Sequence, residues 1–338
     1  VDYIDGSDST TNLNCNTCSL GFKGSEDLGN GLKAIFKVDF QFDMTERNTG
    51  RARSTGSGSA VTSVTTTKDL AGNVTNVDTK SSSFSTGVSD SSSITDRDQW
   101  LGLAGNFGQI RIGTISTVYK SHGAMIDPVY RTSAQARDHG LQSNAHRGAG
   151  ENGQGRATNT FRYDSPSWNG LKVGAHYTLQ TDTGSSTDSP WGAGIEYMNG
   201  PFLVFADYIT NDQGGDDAAY KLGGKWTFGN YSLYGQYEFD DGLISFRDGT
   251  QSGTSGDGAD VWQLGGTAQF GNNTLVAAYG QGDGTSGGNG INNEYDVWEI
   301  VGVHSLSKRT AVYGGYVNID PDQGQSIDEV TVGMKHKF

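Results

Sequence analysis

The sequence predicts an all-β protein: a 16-stranded antiparallel transmembrane β-barrel forming a single domain over residues 1–338. Three observations predict it. Apolar and polar residues alternate with a period of two along most of the chain. Short turns and long polar loops alternate between consecutive runs. Aromatic residues collect at the ends of the runs that face the short turns. Length alone suggests two domains, but large barrels exceed that expectation as one domain.

The alternation is clearest in LKAIFKVDFQF. Leu32, Ala34, Phe36, Val38, Phe40 and Phe42 fall on one face; Lys33, Lys37, Asp39 and Gln41 fall on the other, with Ile35. LKVGAHYTLQ (171–180), YSLYGQYEFD (231–240) and WQLGGTAQF (262–270) divide in the same way. A helix does not present such a pattern as one apolar face. Strands are expected near 1–5, 17–24, 31–43, 94–104, 109–115, 156–165, 170–180, 191–198, 201–210, 217–228, 231–240, 260–270, 273–281, 294–304, 309–319 and 327–338. An even number lets the last strand pair with the first and removes the sheet edges.

The connections sort into two sets. SEDLGNG (25–31), AGNFG (104–108), SPSWNG (165–170), MNGP (198–201), FGNY (228–231), FGNN (270–273) and SLSK (305–308) are short, and their Asn-Gly and Gly-Asn pairs are hairpin chemistry. The other set includes 44–93, 116–155, 241–259 and 282–293, long and polar. Short periplasmic turns on one edge and long extracellular loops on the other are the outer-membrane pattern. A soluble two-sheet sandwich explains the alternation almost as well; the asymmetry of loop length decides between them.

Composition fits. There are 51 glycines, 5 prolines and a net charge of −14, with a mean hydropathy of −0.53. No run of 18 apolar residues is present, so no transmembrane helix is expected. The acidic balance argues against nucleic acid as a partner. No signal peptide is visible, and Val1 is expected to follow one if it existed. The two cysteines form CNTC (Cys15, Cys18). It reads first as a small loop disulfide; free thiols, and metal or redox chemistry, are the alternatives. No metal and no cofactor is expected; acidic loops such as 211–217 and 256–260 read first as a solvated rim, with weakly held divalent cations as the alternative. The stretch 318–329 lacks the spacing of a calcium loop. Phe22, Phe107, Trp168, Phe202, Phe228, Tyr231, Phe270 and Phe338 flank the short-turn side, as an interfacial girdle requires.

GFKGSEDLGNGLKAIF (21–36), DRDQWLGLAGNFGQIRIG (96–113), FRYDSPSWNGLKVGAHY (161–177), LSKRTAVYGGY (306–316) and the closing GMKHKF resemble the trimeric Gram-negative porin family, in that family's order and closest to its neisserial and β-proteobacterial branch. The resemblance covers both ends and most strands; the long loops match poorly. It implies a homotrimer in the cell outer membrane, in contact with lipid and lipopolysaccharide. It implies passive diffusion of ions and small hydrophilic solutes through a water-filled pore, and an inward-folded third loop. It further implies that Phe338 is part of the C-terminal signal read by the barrel-assembly machinery. Three departures stand out. VDYID is short for a first strand. The Ser- and Thr-rich loop 44–93 is long enough to form its own hairpin or a latch over a neighbouring subunit. CNTC occupies a place where the family often carries a basic residue facing the pore.

The resemblance makes 116–155 the constriction loop, with Asp127 in its Asp-Pro region. Arg97, Arg111, Arg131, Arg137, Arg147, Arg156 and Arg162, with Lys120, oppose four acids (Asp98, Asp127, Asp138, Glu151) between positions 97 and 162. Arg97 and Arg156 align with the family's basic wall ladder, as does Arg162 with less certain facing. Arg131 and Arg137 read equally as loop braces. Lys33, Lys37, Lys172, Lys221 and Lys225 share the polar phase of their strands and are expected to line the lumen, joined by Glu196, Asp207, Glu238 and Asp240. Guanidinium groups make a fixed field, and the narrowest point outweighs an acidic rim that salt screens over roughly 8–10 Å, so a weak anion preference is expected. A porin specific for a sugar or an anion is the alternative, with Tyr119, Tyr130 and Trp100 as candidate contacts. A barrel enzyme is a distant reading, since His122, His139 and His146 share one loop without a triad pattern; a soluble β-rich adhesin is another.

Overall fold

In the computed structural model of the chain, the residues described are 2–6, 11–42, 45, 57–68, 74–85, 94–146, 155–179, 190–210, 218–244, 259–283 and 294–338. The acidic stretch 211–217, residues 256–258, Arg147 and Glu151 lie outside them. Two compact units are present, Val1–Thr45 with Thr95–Phe338, and Glu46–Ile94. The elements, in chain order, are β1 (Asp2–Gly6), β2 (Thr11–Asn14), β3 (Ser19–Gly29), β4 (Leu32–Phe42), β5 (Ser57–Lys68), β6 (Val74–Ser85), β7 (Ile94–Gly105), β8 (Gly108–Ser116), α1 (Val118–Ile126), β9 (Arg156–Asp164), β10 (Leu171–Thr178), β11 (Trp191–Asn199), β12 (Phe202–Thr210), β13 (Ala218–Phe228), β14 (Tyr231–Asp241), β15 (Val261–Phe270), β16 (Asn273–Gly282), β17 (Tyr295–Ser305), β18 (Thr310–Pro321) and β19 (Ile327–His336).

The larger unit is one antiparallel sheet. From β7 to β19 every strand pairs with its neighbour in sequence, and β3 pairs with β4. β1 pairs with β2 on one side and with β19 on the other, Asp2 opposite Gly333. The sequence placed one strand at 17–24. After β1 the chain instead pairs again as β2, breaks at CNTC and resumes at β3. Cys15 and Cys18 are joined there in a disulfide with Cα atoms 5.5 Å apart. The smaller unit, in the 44–93 loop, holds a two-stranded hairpin of β5 and β6.

The two faces of the large sheet are inverted relative to a soluble protein. One face carries Leu101, Ile110, Ile112, Val204, Leu222, Leu233, Leu264, Leu275, Ile300 and Val332, all exposed. The other face buries Arg97, Asp207, Lys221, Glu238, Gln263, Glu299 and Thr331. In water this arrangement wastes apolar burial. Against lipid it is required, because strands that hydrogen-bond to one another leave only apolar side chains toward the hydrocarbon.

Two aromatic belts mark the edges of that band. On the short-turn side Phe202 stacks on Trp226 (5.8 Å), Trp226 meets Phe228 (4.6 Å) and Phe228 meets Tyr231 (5.9 Å). Nearer the long loops lie Trp191–Tyr208 (4.8 Å), Tyr208–Tyr220 (5.1 Å), Trp262–Tyr279 (5.6 Å) and Trp298–Tyr316 (5.0 Å). Tyr220 and Trp226 are six residues apart on β13, about 20 Å along the strand, with exposed Leu222 between them. The turns follow their sequence signals: Asn30–Gly31 and Asn169–Gly170 have φ of 53°, 77°, 53° and 95°, the all-positive pair that a two-residue hairpin of this twist needs.

The apolar core lies between the sheet and loop 3, the 116–155 segment. Ile126 and Leu141 cluster with Phe205, Tyr234, Tyr295 and Val297; Val129 and Ala134 cluster with Val276, Val301 and Tyr313.

Candidate functional site: loop 3 on the polar face

Loop 3 was expected to lack regular structure as far as strands go. It begins with a helix. Thr117 caps α1 by accepting from Lys120 N at 3.2 Å, and Pro128 follows its end. Val118, His122 and Ile126 are buried, at the four-residue spacing of one helical face. The helix settles close to the sheet where β11 has no side chain: a Cβ on Gly194 would stand 2.7 Å from Val118 and 2.0 Å from Asp207 Oδ1.

From there the loop bonds to the acidic side chains of the polar face. His122 Nδ1 lies 2.7 Å from Asp207 Oδ1, and its Nε2 lies 3.5 Å from Glu196 Oε2. Glu238 accepts from the Tyr119 hydroxyl (2.9 Å), Ser143 N (3.1 Å), Ser143 Oγ (2.5 Å) and Gln236 Nε2 (2.6 Å). Lys221, fully buried, donates to the Tyr119 carbonyl and lies 3.3 Å from Asp207 Oδ2 and 3.1 Å from His146 Nε2. Farther along, Tyr295 donates to Gly140 O (3.0 Å), His139 Nε2 meets Glu329 Oε2 (3.3 Å), and Lys335 donates to Tyr130 O. Asn16, between the two cysteines, donates to Asp138 (2.8 Å) and accepts from Gln135 (3.1 Å).

The strands β4, β7, β8 and β9 carry a different set. Asp98 accepts from Lys37 Nζ (2.8 Å) and Arg156 Nε (3.0 Å). Asp39 lies 3.4 Å from both Lys37 and Arg97. Asp164 is gripped by Arg111 and by Arg162 (2.7 Å). Arg162 also reaches Ser116 O (2.5 Å) and Ser121 Oγ (2.8 Å), fixing the root of loop 3. These ion pairs join five cations to three carboxylates, an excess of two positive charges. Between α1 and β8–β11 lies a cavity of about 270 Å³ bordered by Arg111, His122, Arg162, Lys172 and Glu196.

The structure thus brings Lys37, Arg97, Arg111, Arg156 and Arg162 together. It does not bring Lys33, which is exposed opposite Asp27 beside the Asn30–Gly31 turn, at the short-turn rim. Asp127 turns back into its own loop, accepting from Val129 N (2.9 Å) and Ala136 N (3.1 Å). Its burial pushes its carboxyl up to about 6, against the pull of those two N–H groups and Arg137. Arg137 stacks 4.9 Å over the Tyr130 ring and donates to His146 O; Arg131 lies 5.7 Å over the same ring. Both brace the loop. Tyr119 is buried on Glu238 and offers no face to a solute. The sequence reading set Asp98 among the acids opposing the arginines, but passed over Asp39 and Asp164 as partners and over the three loop histidines as contacts. Their signal was the polar phase: Asp39 on β4 and Asp164 on β9 share the face of the wall cations, and Asp207 on β12 and Glu238 on β14 stand within reach of a basic, His-bearing loop.

The chain matches the family of Gram-negative porins over residues 1–324. The major outer membrane protein P.IB of Neisseria meningitidis serogroup B / serotype 15 is 25% identical over 331 residues, spanning 94% of this chain and 82% of that protein. P.IB of Neisseria lactamica is 25% identical over 341 residues with the same coverage. Among solved structures, an anion-selective porin from Comamonas acidovorans superposes with a TM-score of 0.66 at 21% identity, over 100% of this chain and 96% of that one. OmpT, an outer membrane protein of Vibrio cholerae, gives 0.64 at 11% identity, over 100% and 94%; likenesses this distant in sequence speak for the fold. With lipid-facing apolar strands already required by the exposed face, the match along nearly the whole chain makes this protein a member of the Gram-negative porin family, a porin of the outer membrane.

Proposed function

We propose that the sheet closes as a sixteen-stranded barrel, β2 and β3 serving as one stave interrupted by the disulfide. The ladder from Asp2 to Gly333 supports this. Ions and small hydrophilic solutes diffuse through a water-filled passage that loop 3 narrows. The passage runs between loop 3 and the wall of β4, β7, β8 and β9, and it prefers anions weakly. The observation that carries the preference is the division of charge. Loop 3 places donors on Glu196, Asp207, Glu238 and Glu329 and so covers the acidic wall, while the wall it leaves holds five cations against three carboxylates. In a narrow gap of low dielectric that excess acts at short range. The anion-selective Comamonas porin has the same fold.

The rest of the reading follows the family. The 1–338 chain acts as one barrel domain and assembles as a homotrimer. Phe338, exposed beside His336 with ring centroids 4.7 Å apart, is the aromatic end read by the assembly machinery, and the long loops meet lipopolysaccharide. It acts as a channel, as its family does, and His122 and His139 rest on carboxylates that hold the loop. Planar-bilayer recording of the refolded protein across a KCl gradient tests this. Large steps in groups of three, with a reversal potential of the anion-selective sign, are expected. A cation-selective sign overturns the preference, and tight block by one solute overturns general diffusion.

A further inference from the structure

The outer face of β15–β19 holds a groove of about 470 Å³ near its short-turn edge, lined by Phe270, Leu275, Val312 and Val332 with Gly302 and Gly314 at its floor. Register explains it. Leu275 lies opposite Gly302, Gly302 opposite Gly314, and Gly314 opposite Val332. One row across four strands therefore lacks two adjacent side chains. The next row, Ala277, Ile300, Tyr316 and Val330, is filled. Internal packing does not demand these glycines: a Cβ on Gly302 would meet nothing nearer than Gly314 O at 3.9 Å, and one on Gly314 nothing nearer than 3.6 Å.

The rim on the short-turn side is polar and then basic. His304 Nδ1 bonds Asn273 Oδ1 (2.7 Å), and His336 Nδ1 bonds Thr310 Oγ1 (2.9 Å). Lys337 N donates to Arg309 O at 2.9 Å, which sets Lys337 beside Lys308 and Arg309, all three exposed. Segments 264–282, 300–318 and 330–338 contain no Asp or Glu, in a chain of net charge −14. An apolar notch at the edge of the hydrocarbon, below a cationic rim, matches a molecule with a hydrocarbon tail and a negative head.

We propose that this groove holds an acyl chain of an anionic phospholipid, with its phosphate against Lys308, Arg309 and Lys337. Zwitterionic lipids fill the notch equally well, but they do not neutralise the rim. Each basic residue near a membrane surface is worth roughly fivefold in affinity for anionic lipid.

Native mass spectrometry of the refolded protein in detergent, with phosphatidylglycerol or phosphatidylcholine added, tests the proposal. Retained phosphatidylglycerol is expected to exceed phosphatidylcholine at least tenfold, and K308Q/R309Q is expected to lower its affinity by about tenfold or more. G302L/G314L, which fills the notch, is expected to remove the bound lipid while heat-modifiable mobility reports an intact barrel. Equal retention of the two lipids, or no effect of K308Q/R309Q, overturns the proposal. A multimer that separates into single chains in G302L/G314L also overturns it, because the notch then belongs to a second copy of the chain. If G302L/G314L does not fold, the lipid preference and the exposed-turn variant decide alone.

Discussion

The Tyr119 hydroxyl donates to Glu238 Oε2 at 2.9 Å, and Ser143 reaches the same carboxylate from the far end of loop 3. One buried side chain of β14 therefore clamps both ends of the 119–143 segment of loop 3. Glu238→Ala strands the Tyr119 hydroxyl, the Ser143 donors and the Gln236 amide without their shared acceptor. Each buried donor left without a partner costs about 1–3 kcal/mol. The expected result is faster hydrogen exchange across 119–146 and noisier single-channel current, with strand amides still protected. Glu238→Gln keeps the shape and one acceptor oxygen, and is expected to do markedly less. Unchanged exchange in Glu238→Ala would show that the apolar contacts of Ile126 and Leu141 hold the loop by themselves.

Selectivity is expected to follow the wall charges. Arg156 and Lys37 share Asp98, so Asp98→Asn exposes two cations at one stroke, whereas R97Q/R156Q removes two. The chloride-to-potassium permeability ratio is expected to rise in the first variant and fall in the second, each by roughly twofold or more. Reversal potentials at low and high salt check this, because screening weakens both shifts. A change of the same sign in both variants would place the selective point elsewhere.

Much of this was legible beforehand because a barrel strand is a local pattern. The alternation in 231–240 and the Asn-Gly pair at 169–170 each need only their neighbours to take their final form, and both appear where periodicity and turn chemistry put them. Loop 3 is different. α1 depends on a threonine cap and on glycines 57 and 77 positions downstream, Gly174 and Gly194, which make room for Val118. Asp127 reads as a pore charge from its motif, yet two backbone N–H groups nine residues apart or less claim its carboxylate. Lys33 has the lumen phase but sits too near the turn to reach the cluster, since alternation fixes the face of a residue and not its height. Such facts depend on contacts distant in sequence, which period and composition do not encode.

The seat of loop 3 is expected to tighten in acid. Burial alone would depress His139, but Glu329, with Asp138 and Glu299, outweighs it and raises the imidazole. A raised histidine contributes stability that is full below its ordinary value of 6.5 and is lost as pH climbs through the folded value. Asp127 acts in the same direction, since a carboxyl raised from 3.8 to about 6 favours the seated loop while it is protonated and loses that advantage as pH rises across that interval. Hydrogen exchange of 129–141, corrected for its intrinsic pH dependence, is therefore expected to slow from pH 8 to pH 5. His139→Gln is expected to flatten the upper half of the curve. A slope of the opposite sign would mean that groups other than His139 and Asp127 control the seat of the loop.

The Cys15–Cys18 bridge spans only three positions, so the chain-entropy gain from closing so short a loop is about 2 kcal/mol, too little to decide whether a barrel folds. Its position matters more. Asn16 sits inside the bridge and holds Asp138 and Gln135 of loop 3, coupling the break in the β2–β3 stave to the segment 119 positions and more away. Replacing both cysteines by serine is expected to leave heat-modifiable mobility nearly unchanged and to raise current noise and exchange at 135–139. Asn16→Ala, which keeps the bridge and removes the side-chain contacts, is expected to reproduce the noise without the small loss of stability. If the serine variant alters stability but not the noise, the bridge is a staple for the stave, and the contact to loop 3 is passive.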